Sequence, residues 1–254
     1  MEPLCDLLFE LSSTTRLEIM TILQNGGQKL SHLSHELDLP TSEISRHLQR
    51  LSEAKLIQKD PNGLYFLTSY GEEVLGQLKG LEFISRNRDF FNDHRVSSIP
   101  YEFRNRMGEL AASTLGDHIF TGLEEAEKTI AATTELMWIM TDRVFNRLAL
   151  TLAGKLSSTL DSRIILPEGI MPQDSEAPIP STAPGVQKRV LPSVDAVILV
   201  SDNDAAVCVL QQNGKMDYTG FRARDPVSYK WYKDLFLYYW DKAKPSELYF
   251  VEKY

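Results

Sequence analysis

Thr41, Ser42, Ser45, Arg46, Gln49 and Arg50 are polar side chains of a kind that reads nucleic acid, and they fall within ten consecutive positions. Between them Ile44, Leu48 and Leu51 recur at i, i+4 and i+7, the spacing of a helix that buries one face. The stripe predicts a helix over 42–54, with Thr41 or Ser42 as its cap. Hydroxyls at a helix start, beside unpaired backbone N–H groups, suit phosphate. Arg46 and Gln49 have the donors and acceptors to pair with guanine or adenine edges in a major groove. Lys55 and Lys59 continue the basic character, so the segment 44–59 sets Arg46, Arg50, Lys55 and Lys59 against Glu53. The bland alternative is a solvated polar face, common on amphipathic helices.

A second set lies further along. Asp142 and Arg143 follow the apolar run Leu136–Met140, at the kind of strand end where α/β sheets bind ligands. Arg222 and Arg224 lie in an aromatic stretch, with Trp231 beyond, where a guanidinium could grip an anionic small molecule. The competing reading makes these aromatics core and the charges a cap and salt bridges. His32 and His35, at i and i+3, are half of a metal site without the other half, so no metal or cofactor is expected. No GxGxxG, Walker or GxSxG pattern occurs, and an enzyme is not expected.

The elements that must position these residues follow from periodicity. Leu17, Met20 and Leu23 predict a helix over 14–25 that ends at Gly26-Gly27, and Leu30, Leu33 and Leu37 predict another over 30–37 that Pro40 stops. After the third helix, Leu56–Lys59 and Leu64–Thr68 flank Asp60-Pro61-Asn62-Gly63, a hairpin. A long helix is expected over about 70–92, with Val74, Leu75, Leu78, Leu81 and Ile84 near heptad spacing that suits a homodimer, or that a monomer buries against its own wing domain. Three helices, a hairpin and a long helix are the winged helix-turn-helix order.

Val96–Pro100 lacks periodicity and reads as a hinge, dividing residues 1–95 from an α/β domain over 96–254. That domain is expected to hold helices at about 101–113, 122–134 and 143–158. Strands are expected at 136–140, 163–166, 186–191, 194–200 and 205–210, a loop at 167–185 carrying Pro167, Pro172, Pro178, Pro180 and Pro184, and a terminal helix at 226–243. The fold class is therefore an N-terminal winged helix-turn-helix followed by a mixed-sheet α/β domain.

Composition sets outer bounds. With 43% hydrophobic and 24% charged residues the 254-residue chain is of ordinary globular make-up, and its longest apolar runs are too short for a bilayer. Met1–Asp6 does not read as a signal peptide, and two distant cysteines, Cys5 and Cys208, suggest a reducing, cytoplasmic setting. A net charge of −8 opposes DNA binding only if the acid lies where DNA docks.

Three stretches of the chain resemble known families. Leu11–Met20, Ser42–Leu51 and Ala54–Ile57 are similar to the ArsR-like winged-helix repressors over roughly residues 5–80, although that family often has proline where this chain has Thr14. Phe90–Phe103, with its H-x-x-S-x-I-P spacing, and Arg106–Leu110, R-x-G-E-L, resemble the domain that follows the winged helix in archaeal methanogenesis-regulator-like proteins. The element order beyond also resembles the phospholipase D-like sensor domains of archaeal sugar regulators, but none of the five histidines is followed two residues later by the lysine of the active enzymes. The resemblances imply a dimeric archaeal transcription regulator that binds double-stranded DNA and responds to a small effector. Two rivals stand beside this reading: a winged helix that binds a protein partner, and an enzyme in the second domain.

Overall fold

The computed structural model describes residues 1–116, 119–143, 148, 151, 155, 160–169 and 186–246. The chain forms two compact units, Met1–Lys79 and Gly80–Tyr254. The packing boundary thus falls earlier than the 95/96 division expected from periodicity. Phe83, Phe90 and Ile99 explain the difference, because all three are buried in the core of the second unit. Val96–Pro100 is accordingly no free hinge: Val96–Ser98 form a 3-10 turn and Ile99 is packed.

The first unit opens with α1 (Glu2–Leu11), which periodicity did not reveal, and α2 (Thr14–Leu23), which Ser13 caps by accepting the Arg16 N–H. A two-residue strand β1 (Gln28–Lys29) precedes α3 (Leu30–Glu36) and α4 (Thr41–Glu53). The hairpin β2 (Ile57–Lys59) and β3 (Leu64–Leu67) follows, and β1 joins it to make an antiparallel sheet of order β1-β3-β2. Asp60 holds the hairpin turn, its carboxylate accepting the N–H groups of Asn62 (2.9 Å) and Leu64 (2.7 Å). Gly63 supplies the left-handed φ of 84° that the turn needs. One core gathers Ile19, Met20 and Leu23 from α2, Leu33 from α3, the Ile44, Leu48 and Leu51 stripe of α4, and Leu56, Ile57 and Leu67 from the wing.

The helix expected over 70–92 is two helices, α5 (Ser69–Arg86) and α6 (Arg88–Asp93), parted at Asn87, whose side-chain amide donates to the Phe83 carbonyl at 2.8 Å. The division between the units falls within α5. The helix expected over 101–113 is likewise only α7 (Tyr101–Arg104) and a 3-10 turn at Met107–Leu110.

The second unit is built on a mixed sheet. Its described strands are β4 (Thr114–Leu115), β5 (Leu136–Met140), β6 (Asp161–Pro167), β7 (Val186–Leu191), β8 (Ala196–Val200), β9 (Ala205–Val209), β10 (Gly220–Ala223) and β11 (Lys244–Pro245), in the order β11-β7-β6-β5-β8-β9-β10-β4. β5, β6 and β7 run parallel and the other pairings are antiparallel. Alternation along β5 and β8 serves both faces. Trp138, Met140, Ile198 and Val200 share one core with α9 (Pro226–Lys242), while Met137, Ile139 and Leu199 pack with Ile130 of α8 (Ile119–Ala132). Asp225 caps α9, accepting from Val227 and Ser228, and Pro226 starts it. The helix expected over about 143–158 lies almost wholly outside the described residues, as does most of the proline-rich stretch 167–185.

Candidate nucleic-acid interface

Helix α4 is set by what precedes and follows it. Asp38 takes a left-handed turn (φ 51°), the Ser34 hydroxyl donates to the Leu39 carbonyl at 2.6 Å, and Pro40 occupies the cap position. The helix therefore begins one residue earlier than expected, and neither Thr41 nor Ser42 caps it; no side chain does. Their hydroxyls are exposed at a helix start, and the first intrahelical bonds run from Glu43 and Ile44 to the Pro40 carbonyl. Lys55, at φ 61°, turns the chain out of α4 toward the wing.

Burial sorts the helix as its pattern suggested. Ile44, Leu48 and Leu51 are buried, while Thr41, Ser42, Ser45, Arg46 and Gln49 are exposed, as are Lys55 and Lys59. The members of this set are not equivalent. Gln49 donates to Glu53 at 2.9 Å, and the Lys59 ammonium lies 5.2 Å from the Tyr65 ring centre. Arg50 is bound most tightly: its Nε and Nη2 donate to the two Glu10 carboxylate oxygens at 3.0 and 2.6 Å, and it lies 5.2 Å over the Phe9 ring. That hydrogen bond, aided by the charges of Arg16 and Arg50, holds the Glu10 carboxyl below its usual range against the opposing effect of burial. Arg46, Lys55 and Lys59 form no ion pair among the described residues.

The five ligand candidates of the second unit do not come together. In the sheet register Trp138 faces Val200, Val200 faces Ala205 and Ala205 faces Ala223, so Arg222 and Arg224 lie toward the start of β5. Asp142 and Arg143 follow its other end, where Asp142 accepts the Tyr218 hydroxyl at 2.8 Å and Arg143 at 3.1 Å. Burial first, then the Asp142 carboxylate, raise the Tyr218 hydroxyl well above its ordinary value. Arg222 is occupied by Asp204 (2.7 and 2.8 Å from Nε), Glu125 (2.6 Å) and Thr129 (2.8 Å). Trp231 is fully buried and its indole N–H donates to the Phe103 carbonyl at 3.1 Å. Arg143 and Arg224 are both exposed, and Arg224 lies 3.4 Å from Asp204. A void lined in part by Phe83, Phe90, Phe221 and Trp231 measures about 10 Å³, room for roughly one water and no effector.

The two sequence motifs of this unit are structural. His94 is buried and its ring contacts the Asp217 carboxylate at 3.2 Å, and Arg106 clamps Glu109 twice at 2.8 Å while reaching Asp234 on α9 at the same distance. Among the described residues no three His, Cys, Asp or Glu side chains are arranged to hold a metal, and no helix is long and apolar enough to cross a membrane.

Three helices with an exposed polar face on the third, backed by a hairpin, define a winged helix-turn-helix. Residues 13–59 match the model of the arsR family of bacterial regulatory proteins; the chain thus carries an ArsR-type helix-turn-helix and is, by that domain, a DNA-binding transcription regulator. No curated protein matches the chain. Among solved structures it is similar to the archaeal chromatin protein TrmBL2, described as showing a novel mode of DNA binding (12% identity, 92% of this chain and 94% of that one, TM-score 0.45). It is also similar to NucT from Helicobacter pylori (11%, 53% and 98%, TM-score 0.43) and to the phospholipase D family member Nuc from Salmonella typhimurium (10%, 53% and 97%, TM-score 0.41). With TM-scores below 0.5, none of the three bears on what this chain does.

Proposed function

We propose that the chain is a homodimeric, sequence-specific regulator that reads double-stranded DNA with the exposed face of α4 and is not an enzyme. The observation that carries this reading is that face itself: Thr41, Ser42, Ser45, Arg46 and Gln49 stand in solvent on the second helix of the helix-turn-helix, the one that such motifs lay in the major groove. Thr41 and Ser42 meet phosphate at the uncapped helix start, Arg46 and Gln49 meet base edges, and Lys55 and Lys59 follow the backbone. Exposed Leu4, Leu8 and Phe9 on α1 give a second copy an apolar surface to cover. The second unit is the effector-responsive part, and its ligand must bind one dimer arrangement better than the other to act.

Selection from random duplex DNA at fixed salt, with sequencing of the bound fraction, tests this. We expect an enriched, near-palindromic site that Arg46→Ala loses. Lys55 and Lys59, the two unpaired cations assigned to the backbone, give an expected slope of log affinity against log salt of about −2 per protomer. Absence of any enriched sequence would refute the reading and favour a winged helix turned to protein contacts.

A further inference from the structure

Resting on the DNA reading, we propose that Arg50 is a positioning residue rather than a DNA contact, and that Glu10 of α1 sets the rotation of the recognition helix through it. Arg50 points from the same side of α4 as Arg46, one turn away, so whatever fixes one fixes the other. Its guanidinium meets the Glu10 carboxylate in a two-bond fork, and the Phe9 ring lies against it. The Glu10 side chain is 17% exposed against 42% for Arg50, so the carboxylate is the anchored partner.

Glu10 is anchored in turn by Arg16. That guanidinium, nearly buried, lies 3.4 Å from the Glu10 carboxylate and donates to the backbone carbonyls of Glu10 (2.5 Å) and Phe9 (2.9 Å) in the last turn of α1. A cation on the final carbonyls suits the negative end of a helix, so the end of α1 is a built support. The run from Arg16 through Glu10 to Arg50 joins α2, the end of α1 and the reading helix.

The consequence is geometric and electrostatic. On a helix whose side chains reach about 6 Å from its axis, a roll of about 20° moves a tip by about 2 Å. Base contacts tolerate about 0.5 Å, so an apolar stripe alone leaves too much freedom and the fork removes it. With its charge matched by Glu10, Arg50 adds no free cation toward phosphate. Arg46 is the reader, and Arg50 holds it in place.

The test uses the full chain on its selected site, with affinity measured across a salt series for Glu10→Gln, Arg50→Lys, Arg50→Ala and the pair Glu10→Gln/Arg50→Ala. A phosphate contact tolerates lysine, whereas a two-bond fork does not. We expect Arg50→Lys to lose about as much affinity as Arg50→Ala, roughly fivefold. Glu10→Gln should match them in affinity and the pair should be no worse than either single change; the salt slope should stay unchanged in both Arg50 variants, whereas Glu10→Gln, which leaves the Arg50 charge unmatched, should not flatten it. Glu10→Gln and Arg50→Lys nearly preserve volume, and a thermal melt of each confirms the fold. An Arg50→Lys variant that binds like the parent, with Arg50→Ala flattening the slope by about one unit, would make Arg50 a phosphate contact and overturn the proposal. So would a Glu10→Gln variant without effect. A parent protein that selects no site removes the DNA reading itself, and with it the role given to Arg50.

Discussion

Replacing Arg222 by methionine should destabilise the second unit by an amount that its surroundings determine. The guanidinium is held on three sides, by Asp204, Glu125 and Thr129. Asp204 is 8% exposed, so removing its partner strands a carboxylate in the interior. Breaking a fully buried pair from one side costs about 3–5 kcal/mol. Two features lower that figure here: the Arg222 side chain is 22% exposed, and Arg224, itself 69% exposed, stands 3.4 Å from the same oxygen and can move in. About 2–3 kcal/mol remains. Neutralising the stranded group as well, in Arg222→Met/Asp204→Asn, should recover part of the loss and bring the cost to about 1 kcal/mol. Urea unfolding followed by tryptophan fluorescence isolates the effect, since the chain's three tryptophans, Trp138, Trp231 and Trp240, all lie in the second unit. A single variant within about 0.5 kcal/mol of the parent, or a double variant less stable than the single, would show that Arg222 is not a structural group.

Two further outcomes follow from named carboxylates. Glu10 has a depressed pKa when folded, so its contribution is complete above its ordinary value of 4.5 and is lost as pH falls through the lower folded value. The stability gap between parent and Glu10→Gln, read by circular dichroism melts, should therefore hold at pH 6 and close below pH 4.5; a gap constant down to pH 3 would contradict the ion pair. Asp202 accepts the backbone N–H groups of Thr134 (2.7 Å), Glu135 (3.0 Å) and Leu136 (2.7 Å), gathering the start of β5 onto the β8–β9 turn. Asp202→Ala gives up three bonds to a carboxylate, two of them from exposed donors that water can satisfy, and should cost about 1 kcal/mol in the same fluorescence assay, with no measurable loss counting against this role.

The legible parts of the fold were those where one local cause acts. Stripes at helical spacing marked α2, α3 and α4, and Asp60-Pro61-Asn62-Gly63 marked the wing. Elements that owe their form to distant partners were not. β1 is two residues long and exists because β3 pairs with it, and β10 is a strand because β9 and β4 flank it. The break between α5 and α6 is invisible to periodicity because apolar residues continue through it. A bond from the Asn87 side chain to the Phe83 carbonyl competes locally with the helix there. Val96–Pro100 looked like a linker for lack of period, yet Ile99 is buried: irregular backbone can still be core.

The same distinction governs the sites. Exposure of Thr41, Ser42, Ser45, Arg46 and Gln49 follows from the Ile44, Leu48 and Leu51 stripe, because burying one side of a helix presents the other. The state of an arginine follows from no stripe. Arg46 and Arg50 are equivalent by spacing, and what separates them is Glu10, forty residues earlier in the chain on a helix that sequence periodicity did not reveal. Arg222 on β10 and Arg224 just after it are equivalent by alternation and both reach Asp204; the closer contacts to Asp204 and the bond to Glu125 set Arg222 apart. A guanidinium carries its charge at any working pH, so a partner carboxylate decides whether that charge serves the fold or remains for a ligand. Such partners are set by topology. Counting cations along α4 therefore overstates its unpaired charge by one, since Arg50 is matched by Glu10, and counting arginines near β10 does the same, since Arg222 is held by Asp204 and Glu125. In both places the more exposed arginine is the less engaged one: Arg46 forms no ion pair among the described residues, and Arg224 reaches Asp204 only at 3.4 Å.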